Sequence, residues 1–311
     1  MLKSRLCIAF FAFAVGCAPA QKPLTDYVNP MLGTATLWDS VDLGFKPTKR
    51  TWGAEVFPGS SLPNAMVQVS PVTKFHSGAG YQYEDSVIYG FTHTNKGHWN
   101  LCHIPLLPVT GTPTPGDYCS PFSHERESAA PGYYQVFLDR YGVDAQLSST
   151  LRCAFHKYTY PAGAAASLLA DLQRSNEHVR AWDIRKEGDN VFAGWQQTGE
   201  KMYFYAVANR PVTGIEPVVE GDREVRIVRF GEGDGALELR IGFSFVSEKN
   251  ARENLEAEML GKSFAEVRSE ATATWNDLLG RIRVEGGTER EKGLFYSSLY
   301  RCLLYTSPSP R

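Results

Sequence analysis

Tyr133-Tyr-Gln-Val-Phe-Leu138, then Asp139-Arg-Tyr-Gly142, then Val143-Asp-Ala-Gln-Leu147 reads as two strands joined by a tight turn. Aromatic and β-branched residues alternate with polar ones on both sides of a turn that ends in glycine, which is the pattern of a half-buried antiparallel hairpin. The same pattern spreads outward in both directions. Met66-Val-Gln-Val-Ser70 alternates, and Phe155-His-Lys-Tyr-Thr-Tyr160 ends in Pro-Ala-Gly. Ser167–Asp171, Val191–Trp195, Met202–Val207, Glu224–Phe230 and Leu237–Phe245 follow, each short and bounded by Gly, Pro, Asn or Asp. Many strands at short spacing with no helical period between them predict a large antiparallel β-sandwich from about 21 to 247.

At Asn250 the period changes. Asn250-Ala-Arg-Glu253, Ser263-Phe-Ala-Glu266 and Thr288-Glu-Arg-Glu291 each have the spacing of a capping box. After the second, Phe264, Val267, Ala271, Trp275, Leu278 and Ile282 recur at helical steps, with Gly280 placed to stop them. The layout is then a helical linker over 248–285 and, over 286–301, the first helix of an (α/α) domain. Cys302-Leu-Leu-Tyr-Thr-Ser-Pro-Ser-Pro-Arg311 differs in composition from everything before it and reads as a foreign or frameshifted tail, so the helical domain is expected to be cut off as it begins. The apolar face of that helix (Leu294, Tyr296, Leu299) is expected to lack partners and to leave an exposed patch.

The chain has 311 residues, 43% of them hydrophobic and 12% aromatic, enough for a real core. Lys plus Arg (32) balances Asp plus Glu (34), which leaves no basic excess for a nucleic-acid partner. Met1-Leu-Lys-Ser-Arg5 followed by the apolar run Leu6 to Gly16 reads as a signal peptide over 1–20. Two processing sites compete. Ala18-Pro19-Ala20 suits release into the periplasm, and Ala14-Val15-Gly16-Cys17 resembles a lipobox that would anchor an outer-membrane lipoprotein through Cys17. Beyond it, Cys102, Cys119, Cys153 and Cys302 form no zinc-type spacing and allow one disulfide of unassigned pairing.

The densest chemistry lies in Tyr89–Pro108, read as a loop presented by a sheet. His93, His98 and His103 are five apart. On a helix that step is about 500°, and on a strand His98 faces away from the other two, so neither regular structure gathers them on one metal. Trp99 beside His98 and Asn100 suits a sugar, whose C–H face packs on an aromatic ring while its hydroxyls take polar partners. Equally, Trp99 could anchor the loop to the core. Glu84, Asp85, Glu125, Glu127 and Asp183 include no pair that stands out as a catalytic couple, and they read as solvated acids. No nucleophile elbow, P-loop or dinucleotide motif is present.

Several segments resemble glycoside hydrolase family 92, the exported bacterial α-mannosidases. Tyr27-Val-Asn-Pro-Met-Leu-Gly-Thr34 is similar to that family's opening, Val56-Phe-Pro-Gly-Ser-Ser-Leu-Pro-Asn-Ala-Met-Val-Gln-Val-Ser-Pro71 to its Phe-Pro-Gly segment, and Gly80–Thr94 to its Gly-Tyr-x-Tyr…Gly-Phe-Ser-His-Thr. Phe122-Ser-His124, Pro131-Gly-Tyr-Tyr134, Phe155-His156, Trp275-Asn276, Val284-Glu-Gly-Gly287 and Phe295–Tyr300 continue the series in order. The resemblance implies a sandwich packed on an (α/α) barrel. It also implies calcium-dependent, inverting, exo-acting release of mannose from glycans. The catalytic carboxylates and the calcium ligands would belong to the barrel, so no catalytic or metal residue is assigned in this chain, which is expected to be inactive alone. The sandwich of such enzymes lends loops to the sugar site, and the matching positions are His98, Trp99, Asn100, Arg152, Cys153 and Lys74. In place of the family's frequent Ser-Gly-x-Gly this chain has Asn95-Lys-Gly-His-Trp99, and Lys74 stands where arginine is common. The competing expectation is a stand-alone carbohydrate-binding sandwich without hydrolase activity.

Overall fold

The computed structural model describes residues 22–37, 44–46, 56–96, 99–233 and 235–305. The signal-peptide reading of 1–20, Cys17, His98 and the end of the tail from 306 lie outside the described residues.

Two antiparallel sheets of eight strands make the sandwich. One runs Ser60–Ser61, Val67–Val72, Gly90–Lys96, Leu106–Val109, Ser167–Ala170, Arg223–Phe230, Val212–Glu220, with Trp99–Asn100 paired to the end of Gly90–Lys96. The other runs Ala181–Gly188, Val191–Gln197, Lys201–Ala208, Leu237–Ser244, Cys153–Thr159, Val143–Ser149, Tyr133–Leu138, Glu127–Ala130. Val87–Ile88 and Ser120–Pro121 form a separate ribbon. The opening hairpin is as read, with Leu138 opposite Val143 and Gly142 at φ 63° in the turn, where a side chain would be strained.

Alternation sets what goes inside. Along Lys201–Ala208 every second residue is buried, and Met202, Phe204 and Ala206 meet Phe91, Leu106, Leu169 and Ile227 of the facing sheet in one cluster. Interdigitation of two apolar faces is what holds a sandwich of this kind together.

Three helices follow: α1 (Glu248–Glu258), α2 (Phe264–Leu279) and α3 (Glu289–Tyr305). The cap of α1 is Ser247, not Asn250: Ser247 Oγ accepts from Asn250 N at 3.1 Å, so the helix starts earlier than the capping-box spacing implied. The box at Ser263–Glu266 forms as expected. Thr288 and Glu291 also cap each other, at 3.2 Å and 2.7 Å. Because α2 ends at Leu279, it is Leu279 that is buried, and Ile282 lies beyond the helix with 49% of its surface exposed.

α1 lies flat on the second sheet because Gly242 has no side chain. A Cβ there would stand 2.1 Å from Ala251 O and 2.8 Å from Leu255 Cβ. Gly242→Ala is therefore expected to push α1 off the sheet, with a loss of about 2–3 kcal/mol in urea unfolding, typical of overpacking. An unchanged midpoint would show that the helix yields freely.

α3 is not unpartnered. Tyr296, Tyr300 and Leu304 close a second core with Trp275 and Leu279 of α2 and with Leu24, Val28 and Phe57 from the start of the chain. Asn29 N donates to Ser297 Oγ at 2.9 Å, and Arg301 donates to the carbonyls of Phe57 and Pro30. Of the face expected to be bare, Tyr296 is buried, Leu299 is partly buried and Leu294 remains exposed. The helix also runs on through Cys302 to Tyr305. Cys102, Cys119, Cys153 and Cys302 are all unbridged, so the disulfide allowed by the sequence does not form among them.

Candidate functional site

Tyr89–Pro108 is sheet rather than loop. Gly90–Lys96 is an inner strand, Trp99–Asn100 turns back on it, and Leu106–Val109 rejoins the sheet. Pairing aligns Asn95 with Asn100 and Lys96 with Trp99. At this hairpin Trp99 is 56% exposed while the next residue, Asn100, is buried.

Between Asn100 and Leu106 the backbone is strained. Cys102 and Ile104 sit at φ 54° and 53°, a left-handed conformation that is costly for any side chain and most of all for a β-branched one. Buried amides hold it there. Asn100 Oδ1 accepts from Cys102 N at 2.8 Å. Gln196 Oε1 accepts from Ile104 N at 2.8 Å, and its Nε2 donates to the carbonyls of Leu172 and Arg174.

The kink turns His103 toward a carboxylate. Its Nδ1 lies 2.9 Å from Thr94 Oγ1, and its Nε2 lies 3.2 Å from Glu177 Oε2 and 3.1 Å from Thr198 Oγ1. A carboxylate can only accept here, so Nε2 carries the proton and Nδ1 accepts from the threonine. Thr198 Oγ1 also donates to Glu177 Oε2, at 2.7 Å. Burial pulls the His103 pKa down, and the nearby Glu177 partly opposes this. The imidazole and the Thr198 hydroxyl are buried, whereas the Glu177 side chain is 43% exposed.

Asn176 ties this group to two loops. Its Nδ2 donates to Asn100 O at 2.6 Å, and its Oδ1 accepts from His76 N at 2.6 Å. Asn100 N donates to Gly78 O at 2.8 Å. The result is one rim, in which Trp99, the loop carrying Lys74 and His76, and the Asn176-Glu177 turn are tied together by the half-buried Asn176 and the buried Asn100. Lys74 is exposed on it.

The other sequence candidates divide. Asn100 spends its side chain on Cys102 N and Thr92 Oγ1, so it positions the rim. Arg152 is tied to Glu258, which also accepts from Arg152 N and Thr150 Oγ1. Cys153 is fully buried among Tyr133, Phe155, Leu255 and Met259, and burial raises its thiol pKa. As a sugar contact Cys153 is corrected: it offers no surface to a ligand. Among the acids, Glu127 is not solvated. Its carboxylate is 1% exposed and accepts from Tyr81, Tyr134 and His124. Asp85 accepts from Thr73, Glu84 from Thr36, and Asp183 pairs with Arg185. Sequence reasoning missed Glu177 and Thr198. Glu177 lies 74 positions from His103, and nothing local marks it.

The chain belongs to glycosyl hydrolase family 92. The model of that family's N-terminal domain matches residues 27–254, and that of its catalytic domain matches 250–309. A family GH92 α-mannosidase from Bacteroides thetaiotaomicron superposes with a TM-score of 0.79 at 25% identity, over 91% of this chain and 42% of that one. The inverting family GH92 mannosidase of Bacteroides thetaiotaomicron VPI-5482 gives 0.76 at 25% identity, over 92% of this chain and 40% of that one. An uncharacterized secreted glycosidase of Arthroderma benhamiae is 24% identical over 343 residues, covering 91% of this chain and 42% of that protein. The chain therefore spans less than half the length of these relatives.

Proposed function

We propose that this chain is the sandwich half of an exported, exo-acting, inverting, calcium-dependent α-mannosidase, and that its rim at Trp99 contacts mannose-containing glycans. The observation that carries the reading is Trp99 itself, an exposed aromatic face on a strained, amide-locked rim in a chain of this family. A B. thetaiotaomicron relative has been solved with mannoimidazole, which supports a mannose-type ligand.

Inversion needs one carboxylic acid to protonate the leaving oxygen and one carboxylate to activate water, with room for the water between them. We assign those groups to catalytic-domain residues that the longer relatives carry beyond the matched 250–309. Calcium belongs with them. Among the described residues no three His, Cys, Asp or Glu side chains gather into one cluster, and no calcium ligand is assigned to them. The role of the rim is to hold the glycan against that domain, with stacking from Trp99 and hydrogen bonds from its polar neighbours. Export rests on the basic-then-apolar N-terminus, with anchoring at Cys17 or release after Ala20 as its two outcomes.

The test compares this chain with a version carrying a complete family 92 catalytic domain, both assayed on α-linked mannobiose with calcium and with chelator. Turnover is expected only from the longer protein with calcium, and Trp99→Ala in it is expected to lower kcat/KM by about tenfold, as loss of one stacked ring would. Turnover by the 311-residue chain alone would overturn the assignment.

A further inference from the structure

We propose that Glu177 is a second sugar contact on this rim, a preorganised carboxylate that accepts from a glycan hydroxyl and sets how the glycan lies against Trp99. The inference rests on the reading of the Trp99 rim as sugar-contacting.

The carboxylate is built asymmetrically. Oε2 takes both protein donors, Thr198 Oγ1 at 2.7 Å and His103 Nε2 at 3.2 Å. Both donors come from buried residues, and His103 is itself fixed from behind by Thr94 Oγ1 at 2.9 Å. Oε1 has no protein partner among the hydrogen bonds of the described residues, and the side chain is 43% exposed. One oxygen is therefore clamped and the other faces solvent. A solvated surface glutamate needs none of this. A long acidic side chain normally pays rotamer entropy to meet a ligand, and the buried clamp removes that cost in advance.

Position points to the same ligand. Asn176, the residue before Glu177, donates to the carbonyl of Asn100, the residue after Trp99. Trp99 and Glu177 are thus the chain neighbours of the two residues joined by one side-chain-to-main-chain hydrogen bond. An exposed aromatic face beside a fixed acceptor suits a pyranose, whose apolar face and equatorial hydroxyls are presented together. The backbone strain at Cys102 and Ile104 brings His103 under Glu177, which gives that strain a purpose.

The experiment is ligand-observed NMR titration of α-linked mannobiose against the whole chain and its variants, with thermal unfolding run alongside. Glu177→Gln keeps the shape and removes the charge. It is expected to weaken binding about tenfold with an unchanged midpoint, because a charge-assisted hydrogen bond becomes a neutral one. Thr198→Val releases the clamp and is expected to weaken binding, whereas Thr198→Ser keeps the hydroxyl and restores it. A merely structural threonine would not distinguish these two at equal stability. Weakened binding in Trp99→Ala with full binding in Glu177→Gln would overturn the proposal and leave the rim reading standing. Binding unaffected by either change, or absent from the parent chain, would overturn both.

Discussion

Replacing Trp275 by alanine is expected to cost about 3–5 kcal/mol, the upper range for a buried large side chain, because the cavity would open where four segments meet. Trp275 is fully buried on α2 and packs against Tyr300 of α3 with ring centroids 4.4 Å apart. Its Nε1 donates to Ser61 O, in the first strand of the sandwich, at 2.9 Å. The neighbouring Asn276 accepts from Thr25 N at 3.0 Å, so the same turn of helix holds the N-terminal segment. One residue therefore joins sandwich, linker and the start of the helical domain. Urea unfolding followed by hydrogen exchange is the measurement. Protection should fall first in α3, whose core contacts run through Trp275. Trp275→Phe should keep most of the packing and lose about 1–2 kcal/mol, since Ser61 O is left without its donor. A loss below about 1 kcal/mol in the alanine variant would mean that the second core carries little stability.

What the sequence showed of this fold depended on burial. Lys201–Ala208 and Val143–Ser149 have one face inside and one outside, so period-2 alternation was plain. Ala181–Gly188 and Val212–Glu220 carry no strand signature in the sequence. Both lie at sheet edges, where exposed and charged side chains and a proline at Pro217 are tolerated, which erases the alternation. Gly90–Lys96 reads as a loop because it is rich in Thr, His and Asn, and the partners of its buried groups lie on the returning chain or the facing sheet, which the local sequence does not show. His93 meets His156, and Thr94 meets His103. The exposed Trp99 was legible because an indole beside polar residues is informative by itself. Glu177 was not, since its meaning comes from a histidine and a threonine that only the folded chain brings to it.

The stability of the sandwich is expected to fall by about 2–3 kcal/mol between pH 7.5 and 5.5, and His93 with His156 should be the main cause. Both rings are fully buried, with Nε2 atoms 3.0 Å apart. His156 Nδ1 lies 2.5 Å from Tyr158 Oη. The phenol donates to that nitrogen, so His156 Nε2 carries a proton and donates to His93 Nε2. Both imidazoles are neutral in this arrangement, and a further proton on either would place a charge in an apolar core against Phe91 and Phe243. Burial accordingly pushes the His93 pKa down to about 3 and that of His156 well below its ordinary value. The sign follows from which state takes up protons. The unfolded chain protonates both rings below about pH 6.5 and the folded chain does not. The stabilisation is thus complete above that pH and lost as pH falls toward the folded value, at about 1.4 kcal/mol per pH unit for each ring. His103, also lowered by burial, adds in the same direction. Burial raises the Asp171 pKa, which acts in the opposite direction, so a loss of stability from 7.5 to 5.5 reports the histidines. Urea midpoints taken across it should slope in the wild type. The slope should be shallower in His93→Gln and shallower again when His156→Gln is added, with His103 leaving a residual slope, whatever the variants lose in absolute stability. An equal slope in all three proteins would place the proton uptake elsewhere and remove the buried pair from the account of acid sensitivity.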